Sequence, residues 1–198
     1  MKEAMASSGL KGVAAAAGAV ARERGLPPVH LWNPDHCGEI DIVIRGDGRW
    51  FHEGAVIGRP ALVRLFASVL RKDRDGFYLV TPVEKLRITV EDAPFLAVRV
   101  DRLVKIGTPC VLKFITNLGD EVVAGRDHPI RFATSPQTGD LRPYLRVRGA
   151  LDALITRPVF YELVEMAEAR RIAGLVQLCV NSDGAWFPLG PPLEAHEL

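Results

Sequence analysis

The chain has 198 residues, enough for one large domain or two small ones, with 48% hydrophobic and 25% charged residues. That balance excludes a disordered polymer, and a formal net charge of +1 supplies no overall field toward DNA, RNA or an anionic membrane. Three scattered cysteines, Cys37, Cys110 and Cys179, form no CxxC pair, so neither a disulfide framework nor a cysteine-rich zinc site is expected, and a reducing, cytoplasmic setting fits.

In chain order, the alanine-rich stretch from Leu10 to Ala21 reads as an amphipathic helix ending at Gly25 before Pro27-Pro28, in preference to a signal segment. No apolar run reaches the roughly 20 residues of a membrane span. Glu39 to Ile44 alternates and is rich in branched residues, so it reads as a strand, with Gly46-Asp47-Gly48 as a hairpin turn and Arg49 to Glu53 as the partner. Arg59-Pro60 opens a helix whose stripe is Leu62, Leu65, Phe66, Val69 and Leu70, closed by Lys72 to Gly76 before a buried strand, Phe77 to Val80.

Further strands are expected at Leu86–Val90 and Phe95–Val100, around the turn Glu91 to Pro94, and at Val111–Thr116, Glu121–Val123 and Ile130–Phe132. A polar loop, Thr134 to Asp140, leads to strands at Tyr144–Val147 and Ala150–Ile155. Arg157-Pro158 opens a second helix, expected to run to about Arg171, followed by a strand at Leu175–Val180, a turn at Ser182-Asp183-Gly184 and a strand at Ala185–Leu189.

The chain echoes itself. Ile57, Arg59, Pro60, Leu65 and Gly76 recur as Ile155, Arg157, Pro158, Leu163 and Gly174 in one register. This reads as a duplicated strand–helix–strand unit within an α+β, mostly antiparallel β fold. Asp47-Gly48 with Trp50-Phe51 and Asp183-Gly184 with Trp186-Phe187 read as two similar hairpins.

Several residues have side chains suited to chemistry. His52-Glu53 offers a proton acceptor beside a carboxylate, although neighbours on a strand face opposite sides. His36, Cys37, Glu39 and Asp41 are close in sequence but lack a zinc spacing. Arg59 and Arg157 stand at helix starts, where an arginine strengthens an anion site or pairs with a carboxylate. Thr81, Glu84 and Lys85 follow a buried strand, with Lys85 and Thr81 able to hold a phosphate. Arg142, Tyr144, Arg146 and Arg148 share one strand face, which reads either as an anion-binding stripe or as a solvated salt-bridge ladder. Trp50, Trp186, Phe160 and Tyr161 read as packing. The P-loop, GxGxxG, GxSxG and HExxH strings are absent.

From about Trp32 onward the chain resembles a bacterial family, domain of unknown function 1285. The resemblance is carried by Cys37-Gly38-Glu39-Ile40-Asp41, Asp47 to Gly54, Tyr78 to Lys85, Val90 to Phe95 and Val159-Phe160-Tyr161-Glu162-Leu163. The chain is expected to divide into a helical segment 1–26, an α+β half 27–95 and a half 96–198, and the resemblance implies a duplicated, mostly β fold whose C-terminal half is similar to pleckstrin-homology-like domains. It further implies a nucleotide-like ligand at the domain interface, in signal transduction, and no particular reaction or cofactor. On that reading Arg59, Lys85, Arg146 and Arg157 contact the charged group, Thr81 donates, Tyr78 or Tyr144 packs on a planar part, and Glu84, His52 and Glu53 complete the site. A hydrolase using His52, Glu53, Glu84 and Asp92, converging within about 3 to 7 Å, is the enzymatic alternative. A protein–protein module is the third, and a homo-oligomer is compatible with each.

Overall fold

The computed structural model describes residues 25–104, 107, 110–135 and 138–192, together with Gly12, Ala14, Ala15, Ala17 and Gly18. Those five isolated residues are helical; the rest of the expected N-terminal helix, and its end before Gly25, lies outside the described residues. The chain divides into two compact units. The first is Met1–Glu91 with Gly149–Leu151, and the second is Asp92–Arg148 with Asp152–Leu198.

In the first unit a short 3-10 turn, Val29–Leu31, precedes β1 (His36–Ile44), β2 (Trp50–His52) and β3 (Ala55–Val56), then helix α1 (Pro60–Ser68), then β4 (Leu70–Asp73), β5 (Gly76–Val80) and β6 (Glu84–Val90). These strands form one sheet in the order β3-β2-β1-β6-β5-β4. Its central pair, β1 and β6, is parallel, with a register shift between Glu39 and Val43. The second unit holds β7 (Phe95–Leu103), β8 (Val111–Thr116), β9 (Glu121–Val123), β10 (Ile130–Thr134), β11 (Leu141–Arg148) and β12 (Leu151–Ile155) in the order β10-β11-β12-β7-β8-β9. Helix α2 (Arg157–Glu165) follows, and then a three-stranded sheet of β13 (Glu168–Ile172), β14 (Leu175–Ser182) and β15 (Ala185–Pro188).

The two six-stranded sheets share one plan. Each is a pair of three-stranded meanders joined through a parallel contact between its first strand and its last, β1 with β6 and β7 with β12. A parallel partner cannot be reached by a tight hairpin, so the intervening chain has to travel around the sheet. In the first unit α1 occupies that path, between β3 and β4; in the second the helix comes only after the sixth strand.

Both helices are shorter than their sequence patterns predict. Helix α1 stops at Ser68 and α2 at Glu165, each nine residues long. The segments expected to extend or close them, Leu70–Asp73 and Glu168–Ile172, are strands instead. The cause in each case is hairpin pairing: Leu70 to Asp73 pairs residue by residue with Leu79 to Gly76, and Glu168 to Ile172 with Cys179 to Leu175. Propensity is a weak determinant beside a completed ladder. The echo at Arg59-Pro60 and Arg157-Pro158 is thus a strand, a helix and then a hairpin. Gly76 begins β5 and Gly174 sits in the β13–β14 turn, so neither glycine ends a helix.

The buried stripe of α1 is also rotated from the expected one: Val63, Phe66 and Ala67 are buried, while Leu62 and Leu65 are half-buried. Phe66 stacks on Trp50 of β2, with ring centroids 6.5 Å apart, and both rings are almost fully enclosed. In the second unit the core gathers Phe95, Phe114, Leu112, Leu145 and Leu163. The buried hydroxyl of Ser182 accepts from the Leu112 N–H (2.9 Å) and donates to the Ala124 carbonyl (2.6 Å), fastening the small sheet to β8. Asp47-Gly48 and Asp183-Gly184 both turn hairpins, as expected. At the second, φ values of 50° and 72° give the paired left-handed geometry of a two-residue hairpin loop, which glycine accepts without strain. Among the described residues no helix is long and apolar enough to cross a membrane.

Candidate functional site

In the first unit, the side chains singled out by sequence fall into three places. Tyr78 is buried on β5, and its hydroxyl donates to Asp75 Oδ2 (2.6 Å) and accepts from Arg87 Nη2 (2.9 Å). Lys85 lies with its Nζ 4.0 Å from the Tyr78 ring centroid and 2.7 Å from Asp73 Oδ2. Arg71 completes this group, pairing with Asp73 (2.9 Å) while donating to the carbonyls of Val29 and Trp32. The hydrogen bond that Lys85 donates to Asp73 raises the pKa of the lysine. Burial by itself pushes the Asp73 carboxyl up, but the bonds from Lys85 and Arg71 outweigh it and hold the group below the ordinary range.

Thr81 is fully buried and committed to its own turn. Its hydroxyl accepts from the Glu84 N–H (3.2 Å) and donates to the Glu84 carbonyl (3.3 Å), so it staples the β5–β6 connection. Glu84 opens β6 at that staple. His52 is half-buried on β2, and Glu53 is exposed in the β2–β3 turn with φ at 50°. Glu84 does not converge on the histidine. His52 pairs with Ile42 and Glu84 with His36, six positions apart on β1, which is about 20 Å at the rise of a strand. Arg59 occupies the N-cap position of α1, exposed and with no side-chain capping bond. Among the described residues no group of three or more His, Cys, Asp or Glu side chains is placed to hold a metal ion, His36, Cys37, Glu39 and Asp41 included.

In the second unit the arginine stripe of β11 is real and is interleaved with acids. Arg142 Nη1 donates to Asp92 Oδ2 (2.9 Å), and the Tyr144 hydroxyl donates to Asp92 Oδ1 (2.6 Å). Arg146 Nε donates to Asp152 Oδ1 (2.7 Å), and Arg131 from β10 bonds the same carboxylate. Arg148 reaches Asp120 at 3.5 Å and lies 5.0 Å from the Phe95 ring centroid. Asp92 and Asp152 have side chains only 2% and 7% exposed. Burial first, and then the bond to Asp92, lifts the Tyr144 hydroxyl well above a tyrosine's ordinary pKa. At this face the alternation of side chains along the strand has produced an ion-pair ladder in which partly exposed arginines meet two buried aspartates and a partly exposed one.

One cavity lies wholly within the second unit. It has a volume of about 640 Å³ and opens between β10, β11 and β12 and the first turn of α2. Phe132 and Phe160 meet edge-to-face in its wall (centroids 5.9 Å apart), and Phe160 and Tyr161 lie 6.5 Å apart at a tilt. Leu141, Pro143, Leu154 and Ile155 supply the aliphatic lining, and Asp140, Arg142, Thr156 and Arg157 the polar part. The Thr156 hydroxyl is turned away to the Ala97 carbonyl (3.0 Å), so the helix start has no side-chain cap. Arg157 is exposed and makes no side-chain ion pair or hydrogen bond among the described residues.

Of the ten residues proposed for a ligand from sequence, Arg157 lines this cavity, while Tyr144 and Arg146 lie in the ladder of the same unit. In the sequence Phe160 and Tyr161 read as packing, and Phe132, Asp140 and Leu154 carry no mark of a site. The missed signal was spacing: Arg157, Phe160 and Tyr161 stand at i, i+3 and i+4, which places a cation and two rings on one side of a helix.

Comparison with known proteins agrees with this architecture. The family model described as "Domain of unknown function (DUF1285), N-terminal domain" matches residues 27–93, and that described as "Protein of unknown function (DUF1285), C-terminal domain" matches residues 94–189. A solved DUF1285 family protein from Silicibacter pomeroyi DSS-3 is 46% identical, with a TM-score of 0.78 over 93% of this chain and 96% of that one. A second, from Shewanella baltica OS155, is 28% identical over 63% of this chain and 90% of that one, with a TM-score of 0.49. No curated protein matches. The strings that carried the resemblance in sequence are therefore matched along both halves, and the chain belongs to the DUF1285 family.

Proposed function

We propose that this protein binds a small anionic organic molecule, and that the cavity beside α2 in the second unit is where it does so. The observation that carries this reading is a ring-lined, partly open cavity of about 640 Å³, its wall part apolar and part polar, with an arginine at its rim that has no partner among the described residues. Ligand sites commonly have this make-up, a mostly apolar enclosure of about 300 to 1,000 Å³ with a few orienting polar groups. Arg142, fixed by Asp92, and Arg157, free to reach a ligand, are those groups. The reading of this unit as pleckstrin-homology-like belongs to the same proposal and draws on α2 following directly after the last strand of the sheet.

The test is a thermal-shift series on the full chain with organic acids and nucleotides, because a ligand bound to the folded state raises the melting temperature by mass action. A shift that is lost both in Arg157→Ala and in Leu141→Trp supports the site. Leu141 is exposed at the rim, so a larger ring there obstructs the cavity without entering the core. A shift of full size in both variants would place the ligand elsewhere.

A further inference from the structure

We infer that the ligand of this cavity is a singly charged carboxylic acid with a ring-bearing body, and not a nucleotide or another phosphate. The inference rests on the reading of the cavity just given and narrows it to one chemical class. Size does not decide between these classes, since a volume of about 640 Å³ would admit either.

Charge decides. Arg142 faces the cavity with its Nη1 already 2.9 Å from Asp92, so its positive charge is answered from behind. Asp140 adds a carboxylate to the lining. Before any ligand arrives, two arginines are therefore set against two aspartates, and Arg157 is the cation without a partner among the described residues. A phosphate monoester at neutral pH would bring close to two negative charges toward that one guanidinium and toward the Asp140 carboxylate. The desolvation of the second charge would go uncompensated. A carboxylate brings one charge and matches the planar guanidinium fork with two parallel hydrogen bonds. Asp140 then acts against the wrong ligand, since repulsion of a second negative charge is as effective a selector as attraction of the first.

The apolar part follows from the rings. Phe132 and Phe160 stand edge-to-face and Tyr161 is tilted against Phe160. Tyr161 is 62% exposed at the mouth, a large apolar face that a planar ligand would cover. Aromatic pairs favour such offset and edge contacts, so a one- or two-ring acid continues an arrangement already begun in the wall.

The experiment is titration calorimetry on the full chain with four probes: indole-3-acetate, its primary amide, adenosine monophosphate and inorganic phosphate. Indole-3-acetate is expected to bind, and the uncharged amide to bind more weakly by about tenfold or more, the usual worth of a charge-assisted bond. Neither phosphate probe is expected to give heat at matching concentrations. Arg157→Gln is expected to reduce indole-3-acetate to the level of the amide, and Leu141→Trp to weaken acid and amide alike. Adenosine monophosphate binding more tightly than the acid, with both variants still abolishing it, would overturn the carboxylate inference and leave the cavity reading intact. Acid binding unchanged in both variants would overturn the cavity reading itself. No heat from any probe at millimolar concentration would overturn both.

Discussion

Tyr78 in the first unit and Tyr144 in the second are built alike and stand in opposite surroundings. Each is a buried strand tyrosine that donates to an aspartate over 2.6 Å and carries a cation against its ring, Lys85 at 4.0 Å in one case and Arg131 at 5.4 Å in the other. The aspartates differ. Asp75 has a side chain 63% exposed, while that of Asp92 is 2% exposed. In water an ion pair of good geometry contributes little, because solvent screens it and competes for both partners. Away from water, the removal of one partner strands the other without solvation. Identical bond lengths therefore describe a surface ornament in the first unit and a structural joint in the second.

The largest effect expected from this difference is at Asp92. Asp92→Asn removes the charge that holds Arg142 and keeps only a weaker acceptor for Tyr144. It should cost about 3 kcal/mol of stability, the low end for breaking a buried pair, since Arg142 is itself partly solvated. Urea denaturation followed by far-ultraviolet circular dichroism measures it. A loss indistinguishable from that of a surface substitution would show that Asp92 is reached by water in solution and would erase the contrast between the two units.

A smaller effect, sharpened by pH, is expected at Tyr144. Removing the hydroxyl in Tyr144→Phe should cost about 1 to 2 kcal/mol at neutral pH, a hydrogen bond to a charged group being lost while Arg142 still satisfies Asp92. The folded-state pKa of Tyr144 is raised above the ordinary value of about 10. The neutral hydroxyl is thus favoured by folding. Its contribution is fully present below about pH 10 and fades as the pH climbs from there through the folded-state value. Urea midpoints taken from pH 8 to pH 11 should fall more steeply for the wild type than for Tyr144→Phe, so that the two converge at the alkaline end. Parallel curves would mean that the hydroxyl ionises as readily folded as unfolded.

Most of the strands and hairpins were legible because alternation and glycine turns are local signals, as at Glu39 to Ile44 and Asp183-Gly184. The lengths of the helices were not. Leu70 to Asp73 and Glu168 to Ile172 carry residues that suit a helix, and what makes them strands is a partner strand across a hairpin, which no window of sequence displays. The site divides in the same way. The β11 arginines and Arg157 could be named from sequence, whereas their states could not. Whether an arginine is answered, as Arg142 is by Asp92 some 50 residues away, or stands without a partner among the described residues, as Arg157 does, depends on long-range pairing. The alternation that put Arg142, Tyr144, Arg146 and Arg148 on one face was visible; the three aspartates that meet them came from a turn, a loop and another strand.

The smallest effect expected is at Asp75, and its smallness is what tests the comparison. Three observations favour a real bond there: Tyr78 donates to it at 2.6 Å, Arg87 lies 3.1 Å away, and the bond from Tyr78, reinforced by Arg87, holds the carboxyl below its ordinary pKa. Read from geometry alone, Asp75→Asn would be as damaging as Asp92→Asn. Read from exposure, the carboxylate is solvated whether or not it is bonded, and on its loss the Tyr78 hydroxyl keeps its bond from Arg87 while the exposed part of Arg87 turns to water at almost no cost. Asp75→Asn is accordingly expected to leave the urea midpoint within replicate scatter. A double-mutant cycle with Arg87→Met should give a coupling that half-molar salt removes, because exposed charges are screened at that ionic strength. A salt-resistant coupling would show that the rim of β5 and β6 excludes water as the floor of β11 does. Burial would then no longer separate the two tyrosines, and bond geometry would have to be taken as the guide in both.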